Sequence, residues 1–182
     1  RPASSPEKPS CTTNAIPVYA GTEKTRLAHG DFVWSGDRLV YVGNQFRTRF
    51  GIDVSAYQNR ASENETIDWQ AVRNDGVEFA FVRVGLRGYS SGKIAEDAFY
   101  RQNIEGAMAA GIETGVYFFA QAITVEEAIE EADFVIERLR GLQINGPVAY
   151  DWEMGDSSYR VYGIAPEMAT ACAIAFCKRI QE

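Results

Sequence analysis

Two carboxylates stand two positions apart at the end of an apolar run. The run is PVAYDWEM, residues 147–154, and the pair is Asp151 and Glu153. In a β-strand, side chains at i and i+2 point to the same face, with Cα atoms about 6.5–7 Å apart. Two carboxylates this close do not both ionise easily in a poorly solvated cleft, so one keeps its proton and can act as an acid. Glycoside hydrolysis needs this arrangement, with an acid for the leaving oxygen and an anion near the sugar ring.

A plainer explanation of the pair is a solvated, helix-capping acidic turn. A third carboxylate, Asp53, ends the earlier apolar run GIDVSAY in the same way, and this favours a site. Arg83 is the lone charge inside FAFVRVG; it either pairs with these carboxylates or reaches solvent at the strand end. Tyr117 belongs to the run IETGVYFFAQA and could stack on a sugar ring, which presents an apolar face. Packing within the sheet is the alternative for the aromatic residues of that run.

Strands and helices are predicted to alternate four times from residue 51 onward. Strands are expected at 51–56, 77–84, 114–120 and 147–152. Helices are expected in IDWQAVRNDG, in residues 95–110, after Thr124 with Glu127 as a capping box, and after Pro166. The alternation favours parallel β/α architecture, and β/α barrels carry their active sites at the C-terminal ends of strands. A doubly wound sheet also suits the alternation, but its Gly-rich phosphate turn after strand one is missing.

The first 50 residues do not follow this rhythm. The opening RPASSPEKPS is rich in Pro and Ser and predicts a flexible tether over residues 1–30, of the kind that follows a secretory signal peptide. Residues 31–50 alternate apolar and polar positions around Ser35-Gly36-Asp37, which predicts an appended β-hairpin. Its candidate strand residues are Phe32, Trp34, Leu39 and Tyr41. We therefore expect a secreted or cell-surface protein.

Composition excludes several classes of partner and cofactor. Hydrophobic residues make up 46% of the 182, which indicates a globular chain. The net charge of −7 argues against nucleic acid and anionic membranes, and no apolar stretch approaches the roughly 20 residues that span a bilayer. The single His29 and the lack of CxxC or HExxH predict no metal and no other cofactor. Cys172 and Cys177 lie on different faces of a predicted helix, and Cys11 is isolated, so no disulfide framework is expected.

Six segments in order carry a family resemblance. They are GIDVSAYQ, IDWQAV, GVEFAFVRVG, FYRQNIEGAMAAGIETGVYFFAQA, EEAIEEADF and PVAYDWE. This series resembles the glycoside hydrolase family 25 lysozymes, the N-acetylmuramidases of the Chalaropsis type, over residues 51–182. The resemblance implies an α/β fold, an irregular and flattened TIM-like β/α barrel. It also implies cleavage of the β-1,4 bond between N-acetylmuramic acid and N-acetylglucosamine in bacterial cell-wall peptidoglycan, by a monomer that needs no cofactor.

The resemblance assigns roles residue by residue. The family's strand-one aspartate falls on Asp53, and its DxE motif falls on Asp151 and Glu153. Glu153 would be the general acid, and Asp151 would orient the sugar's acetamido group or stabilise developing positive charge, as in substrate-assisted retention. Arg83 and Tyr117 are the candidate substrate-binding residues. The family barrel has eight strands and a further active-site aspartate on the last, so we expect only the first four βα units here, with truncation at the C-terminus.

Two other functions fit parts of the pattern. A non-catalytic cell-wall glycan-binding module could keep the fold, but the three intact carboxylates argue against it. An unrelated β/α-barrel enzyme such as an aldolase would want a strand-end Lys, and no Lys lies in a predicted strand. A peptidoglycan hydrolase is the leading hypothesis.

Overall fold

The structure, a computed structural model, describes residues 25–59 and 66–182. The chain divides into two compact units, Arg1–Thr48 and Arg49–Glu182. Most of the predicted tether, and Cys11 with it, lies outside the described residues.

The first unit contains the predicted hairpin. Strands β1 (Phe32–Ser35) and β2 (Arg38–Tyr41) pair antiparallel. Gly36 occupies the turn with φ 62°, a conformation that glycine adopts without steric cost. Trp34 lies opposite Leu39, and both side chains remain exposed.

The described part of the second unit contains five strands and four helices. The strands are β3 (Gly51–Val54), β4 (Phe79–Arg87), β5 (Ile94–Glu96), β6 (Glu113–Ala120) and β7 (Val148–Trp152). The helices are α1 (Trp69–Asn74), α2 (Tyr100–Ala109), α3 (Val125–Leu139) and α4 (Pro166–Gln181). Strands β3, β4, β6 and β7 are neighbours in that order, and every pair among them is parallel, as the alternation predicts.

The strand order never reverses within the described sheet. Right-handed crossovers between strands that follow one another in this way place all their helices on the same face. A doubly wound sheet reverses its order at a switch point, and the described strands contain no such reversal. The result is a two-layer arrangement with one helix-covered face and one face that carries no described helix.

Burial follows this division. The buried side chains on the helix-covered face include Val54, Ala80, Val82, Val116, Phe118 and Ala120. Full burial of a side chain such as Phe118 contributes about 1.5–3 kcal/mol. On the opposite face Phe81, Arg83, Tyr117 and Phe119 are only half-buried. The side chains of that face are therefore partly accessible to solvent.

The predicted helix over residues 95–110 is wrong at its start. Ala95 belongs to β5, which pairs antiparallel with residues 85–87 of β4, beyond the last residue that β3 pairs. Extended chain here satisfies backbone groups of β4 that would otherwise lack partners. The Asp97 carboxylate then accepts the Phe99 N–H at 3.0 Å, and α2 begins only at Tyr100.

Candidate active site

The predicted carboxylates meet in one cavity at the C-terminal edge of the parallel strands. The cavity has a volume of about 350 Å³. Its lining residues are Asp53, Phe81, Tyr117, Ala149, Tyr150, Asp151 and Glu153. Asp53 comes from β3 and Asp151 from β7, and two strands lie between them, so the face that carries them is concave.

The three carboxylates differ in depth. Asp53 lies opposite Phe81 in the β3–β4 ladder and is exposed. Asp151 lies opposite Phe119 in the β6–β7 ladder and is half-buried. Glu153 follows β7 by one residue and is exposed. Among residues 25–59 and 66–182, no donor is hydrogen-bonded to any of these three carboxylates, so all of their oxygens remain available to a substrate.

The surroundings of Asp151 change the pKa of its carboxyl group. Burial raises the pKa of Asp151 above its ordinary value, and the negative charges of Glu153 and Asp53 raise it further. The positive charge of Arg83 opposes this and lowers the pKa of Asp151. The sequence analysis expected Glu153 to be the general acid, and that role stays a prediction.

Arg83 has a partner that the sequence analysis did not single out. Its Nε donates to Oδ2 of Asp97 at 2.9 Å, and the Asp97 side chain is fully buried. Its guanidinium carbon also lies 5.2 Å from the ring centroid of Tyr57, within cation–π range. Neither expected role, direct pairing with the site carboxylates or exposure to solvent, describes Arg83.

Tyr117 lines the cavity, and its role in substrate binding stays a prediction. In the ladders it lies between Arg83 of β4 and Ala149 of β7. The pKa of Tyr117 is raised to about 12, mainly by burial, although the positive charge of Arg83 acts in the opposite direction. The phenol is therefore neutral at physiological pH, with an O–H that can donate to a sugar or accept from one.

Asp97 and Tyr57 are two neighbours of the site that the sequence analysis missed. Oδ2 of Asp97 also accepts the N–H of Ala56 at 2.8 Å, which ties the turn after β3 to β4. Tyr57 lies in that turn with 84% of its surface exposed. A local signal existed for Asp97, an acidic residue two positions before a backbone N–H that it binds, but such a turn does not predict a long-range ion pair.

The described residues offer no arrangement for a metal. Within 25–59 and 66–182, no group of three or more His, Cys, Asp or Glu could hold an ion. None of the described helices is long and apolar enough to cross a bilayer. Cys172 and Cys177 are both unpaired thiols.

Residues 52–182 match the family profile of the glycosyl hydrolases family 25. The match covers more than half of the chain and includes every residue of the cavity. The chain therefore belongs to glycosyl hydrolase family 25, and the resemblance drawn from its sequence is confirmed. No significant match is found among curated proteins.

Solved structures share the fold at low identity. A muramidase from Trichobolus zukalii superimposes with a TM-score of 0.56 at 21% identity, over 74% of this chain and 60% of that one. The bacterial lysozyme from Streptomyces coelicolor gives 0.55 at 23% identity, over 74% and 58%. A family 25 glycosyl hydrolase from Bacillus anthracis gives 0.57 at 19%, over 74% and 55%. At these identities the likeness shows the fold alone, and this chain spans about 60% of the first of them.

Proposed function

We propose that this chain is a peptidoglycan hydrolase, an N-acetylmuramidase that cleaves the β-1,4 bond between N-acetylmuramic acid and N-acetylglucosamine. One observation carries the proposal: Asp53, Asp151 and Glu153 line one cavity, and no donor of the described residues is hydrogen-bonded to their carboxylates. Membership of family 25 supports it, as does a fold shared with structures named as a muramidase and a lysozyme.

In this proposal Glu153 is the general acid. It stands beyond the end of β7 and is exposed, so its carboxyl can reach a glycosidic oxygen that lies across the cavity mouth. It gives its proton to the leaving oxygen as the bond from the sugar C1 breaks. In the second step its carboxylate takes a proton from the water that attacks C1.

Asp151 stabilises the intermediate. The acetamido oxygen of the substrate attacks C1 from the opposite side, and the ring that forms carries positive charge near the acetamido nitrogen. The half-buried Asp151 carboxylate accepts the N–H of that group and offsets the charge, which is substrate-assisted retention. Asp53 adds negative charge on the other side of the cavity.

Arg83 and Tyr117 are the proposed substrate-binding residues. The Tyr117 ring and neutral hydroxyl line the cavity beside the carboxylates and can contact the sugar that carries the scissile bond. Arg83 lowers the pKa of Asp151 and so favours the ionised form that the proposed mechanism uses. This electrostatic role stands beside direct binding as the contribution proposed for Arg83.

We further propose that residues 51–182 form the catalytic part, as βα units of a TIM-like β/α barrel with the hairpin of residues 31–50 appended. The sequential order of the parallel strands supports a barrel, as does a cavity at their C-terminal edge. The proposed substrate lies outside the bacterial membrane, so the proposed location is secreted or cell-surface.

Clearing of purified bacterial cell walls tests the function. The chain is expected to lower the turbidity of a wall suspension, and Glu153→Gln is expected to stop this while the variant still sediments with the walls. Glu105→Gln, at an exposed position of α2, is the matched control and should clear walls as the parent does. Binding without clearing would replace the hydrolase with a wall-binding module, and the absence of both would refute the proposal.

A further inference from the structure

Glu153 lies where the sheet no longer holds the backbone. Strand β7 ends at Trp152, and Gly155 turns the chain with φ 59° two residues after Glu153. In the described part of the chain, the backbone of Glu153 is hydrogen-bonded to a side chain instead of to a neighbouring strand. Nε2 of Gln121 donates to the backbone oxygen of Glu153 at 2.8 Å.

The backbone of Gln121 is itself held in place by the preceding strand and by two hydrogen bonds. It follows β6 directly and is fully buried. Its backbone N–H donates to Oε1 of Glu131 at 3.1 Å, and its backbone oxygen accepts from Nη1 of Arg160 at 3.1 Å. A carbonyl oxygen can only accept, so Nε2 and not Oε1 of the amide must face Glu153.

One of these partners of Gln121, Glu131, belongs to a buried ion pair. Arg87 donates from Nε to the same Oε1 of Glu131 at 2.7 Å, and the two side chains are 4% and 0% exposed. A shift of register between Arg83 and Gly85 makes this pair possible. In a regular strand Arg83 and Arg87 would share a face, whereas a bulge changes the parity and turns Arg87 towards α3.

The loop after β7 is also bound to helix α3, through Arg160 and Glu127. Arg160 donates to both carboxylate oxygens of Glu127, at 2.8 and 3.0 Å. The Glu127 carboxylate also accepts the N–H of Ile123 rather than that of Thr124, so only the Thr124 half of the predicted capping box forms. Helix α3 thus holds both Gln121 and the far side of the loop that begins at Glu153.

We propose that Gln121 is a positioning residue that sets the place of the Glu153 carboxyl through its backbone oxygen. This rests on the proposed function, in which Glu153 delivers the proton. Gln121 does not line the cavity, so it contributes to the reaction only through Glu153. A catalytic group displaced by about 1 Å loses about 10²-fold in rate, while substrate held by other residues binds as before.

The test is Gln121→Met, which keeps the length of the side chain and removes its donor. On soluble wall fragments, kcat is expected to fall about 10–10²-fold while KM changes less than about twofold. Asn103→Leu is the matched control. Asn103 is an equally buried amide of α2, and its side-chain atoms have no partner among the described residues. This control should keep the kcat of the parent.

A second readout does not depend on activity. In the full chain, amide hydrogen exchange of the segment 153–160 should become about tenfold faster in Gln121→Met and stay unchanged in Asn103→Leu. If the parent chain does not cleave walls, the proposed function fails while exchange still decides the positioning. Unchanged exchange, or a parent-like kcat in an active enzyme, overturns the positioning role.

Gln121→Glu serves if Gln121→Met does not fold. The introduced carboxyl can donate to the Glu153 oxygen only when protonated. The charged groups around it are Glu127 and Glu131 of α3, Arg87 of β4, and Arg160 and Glu153 of the loop. Its kcat relative to the parent should fall by about tenfold between about pH 4 and about pH 7. A ratio that is flat with pH overturns the proposal.

Discussion

Arg83 and Asp97 form an ion pair beside the cavity, in which Nε of Arg83 lies 2.9 Å from Oδ2 of the fully buried Asp97 side chain. The same oxygen accepts the N–H of Ala56, in the turn that follows β3. The pair therefore links β4 to the strand end that carries Asp53. The positive charge of Arg83 also lowers the pKa of Asp151.

Removal of Arg83 should destabilise the fold. Arg83→Met leaves the Asp97 carboxylate buried without its counter-charge, which costs about 3–5 kcal/mol in the free energy of unfolding. Arg101→Met removes an exposed partner of Glu105 at 4.0 Å and should cost about 0–1 kcal/mol. Denaturant unfolding of both variants measures the difference. Equal losses would mean that the buried pair contributes no more than a surface one.

The acidic limb of the pH–rate profile should depend on Asp53. The proposed mechanism needs ionised Asp151, so kcat/KM falls as pH drops through the raised pKa of Asp151. The negative charge of Asp53 helps to raise that pKa. Asp53→Asn should therefore shift the acidic limb to lower pH, and Asp133→Asn, on an exposed face of α3, should leave it in place. If the acidic limb of Asp53→Asn stays at the pH of the parent, Asp151 is not the group whose titration controls the rate.

Asp151 should reduce stability at neutral pH. Its pKa is higher in the folded than in the unfolded chain, so folding favours the protonated form. The resulting stability is present below the unfolded pKa and is lost as pH rises through the folded one. Asp151→Asn, which stays neutral, should have a higher Tm than the parent at pH 7, and the gap should close at about pH 3. A lower Tm for Asp151→Asn at pH 7 would contradict this.

Substitutions of the two acidic residues of the DxE motif should have different effects on a glycoside whose leaving group needs no protonation. Glu153→Gln loses the acid, about 10²–10⁴-fold on walls, but should retain part of its activity on this substrate. Asp151→Asn should stay slow on both substrates, because the charge that it stabilised still develops. The reverse pattern would exchange the two roles.

The parallel strands and the site carboxylates were predictable because their signals are local. Each of β3, β4, β6 and β7 lies within a few residues of an apolar run, and the position of Asp53 and Asp151 at strand ends follows from those runs. Parallel strands that follow one another bring such ends to one edge. Local pattern was sufficient to place Asp53 and Asp151 at this edge, but it did not predict that Phe81, Ala149 and Tyr150 also line the cavity.

The failures involve partners distant in sequence. Ala95 fits a helical spacing, but pairing with the end of β4 decides its conformation. Arg83 carried a charge with two expected roles, and its partner Asp97 lies across a loop of chain that no spacing rule connects to it. No local pattern marks the role of Gln121, because that role depends on Glu131, Arg160 and Glu153 at once. Tertiary contacts override periodicity at these places.

The reducing-end sugar released from purified cell walls tests the central claim most directly. Walls digested by the full chain are reduced with borohydride, and the terminal sugar alcohols are identified by mass spectrometry. The account predicts reduced N-acetylmuramic acid at the new ends, formed by the parent and by Glu105→Gln but not by Glu153→Gln. Reduced N-acetylglucosamine, new peptide amines without new sugar ends, or products undiminished in Glu153→Gln would contradict it.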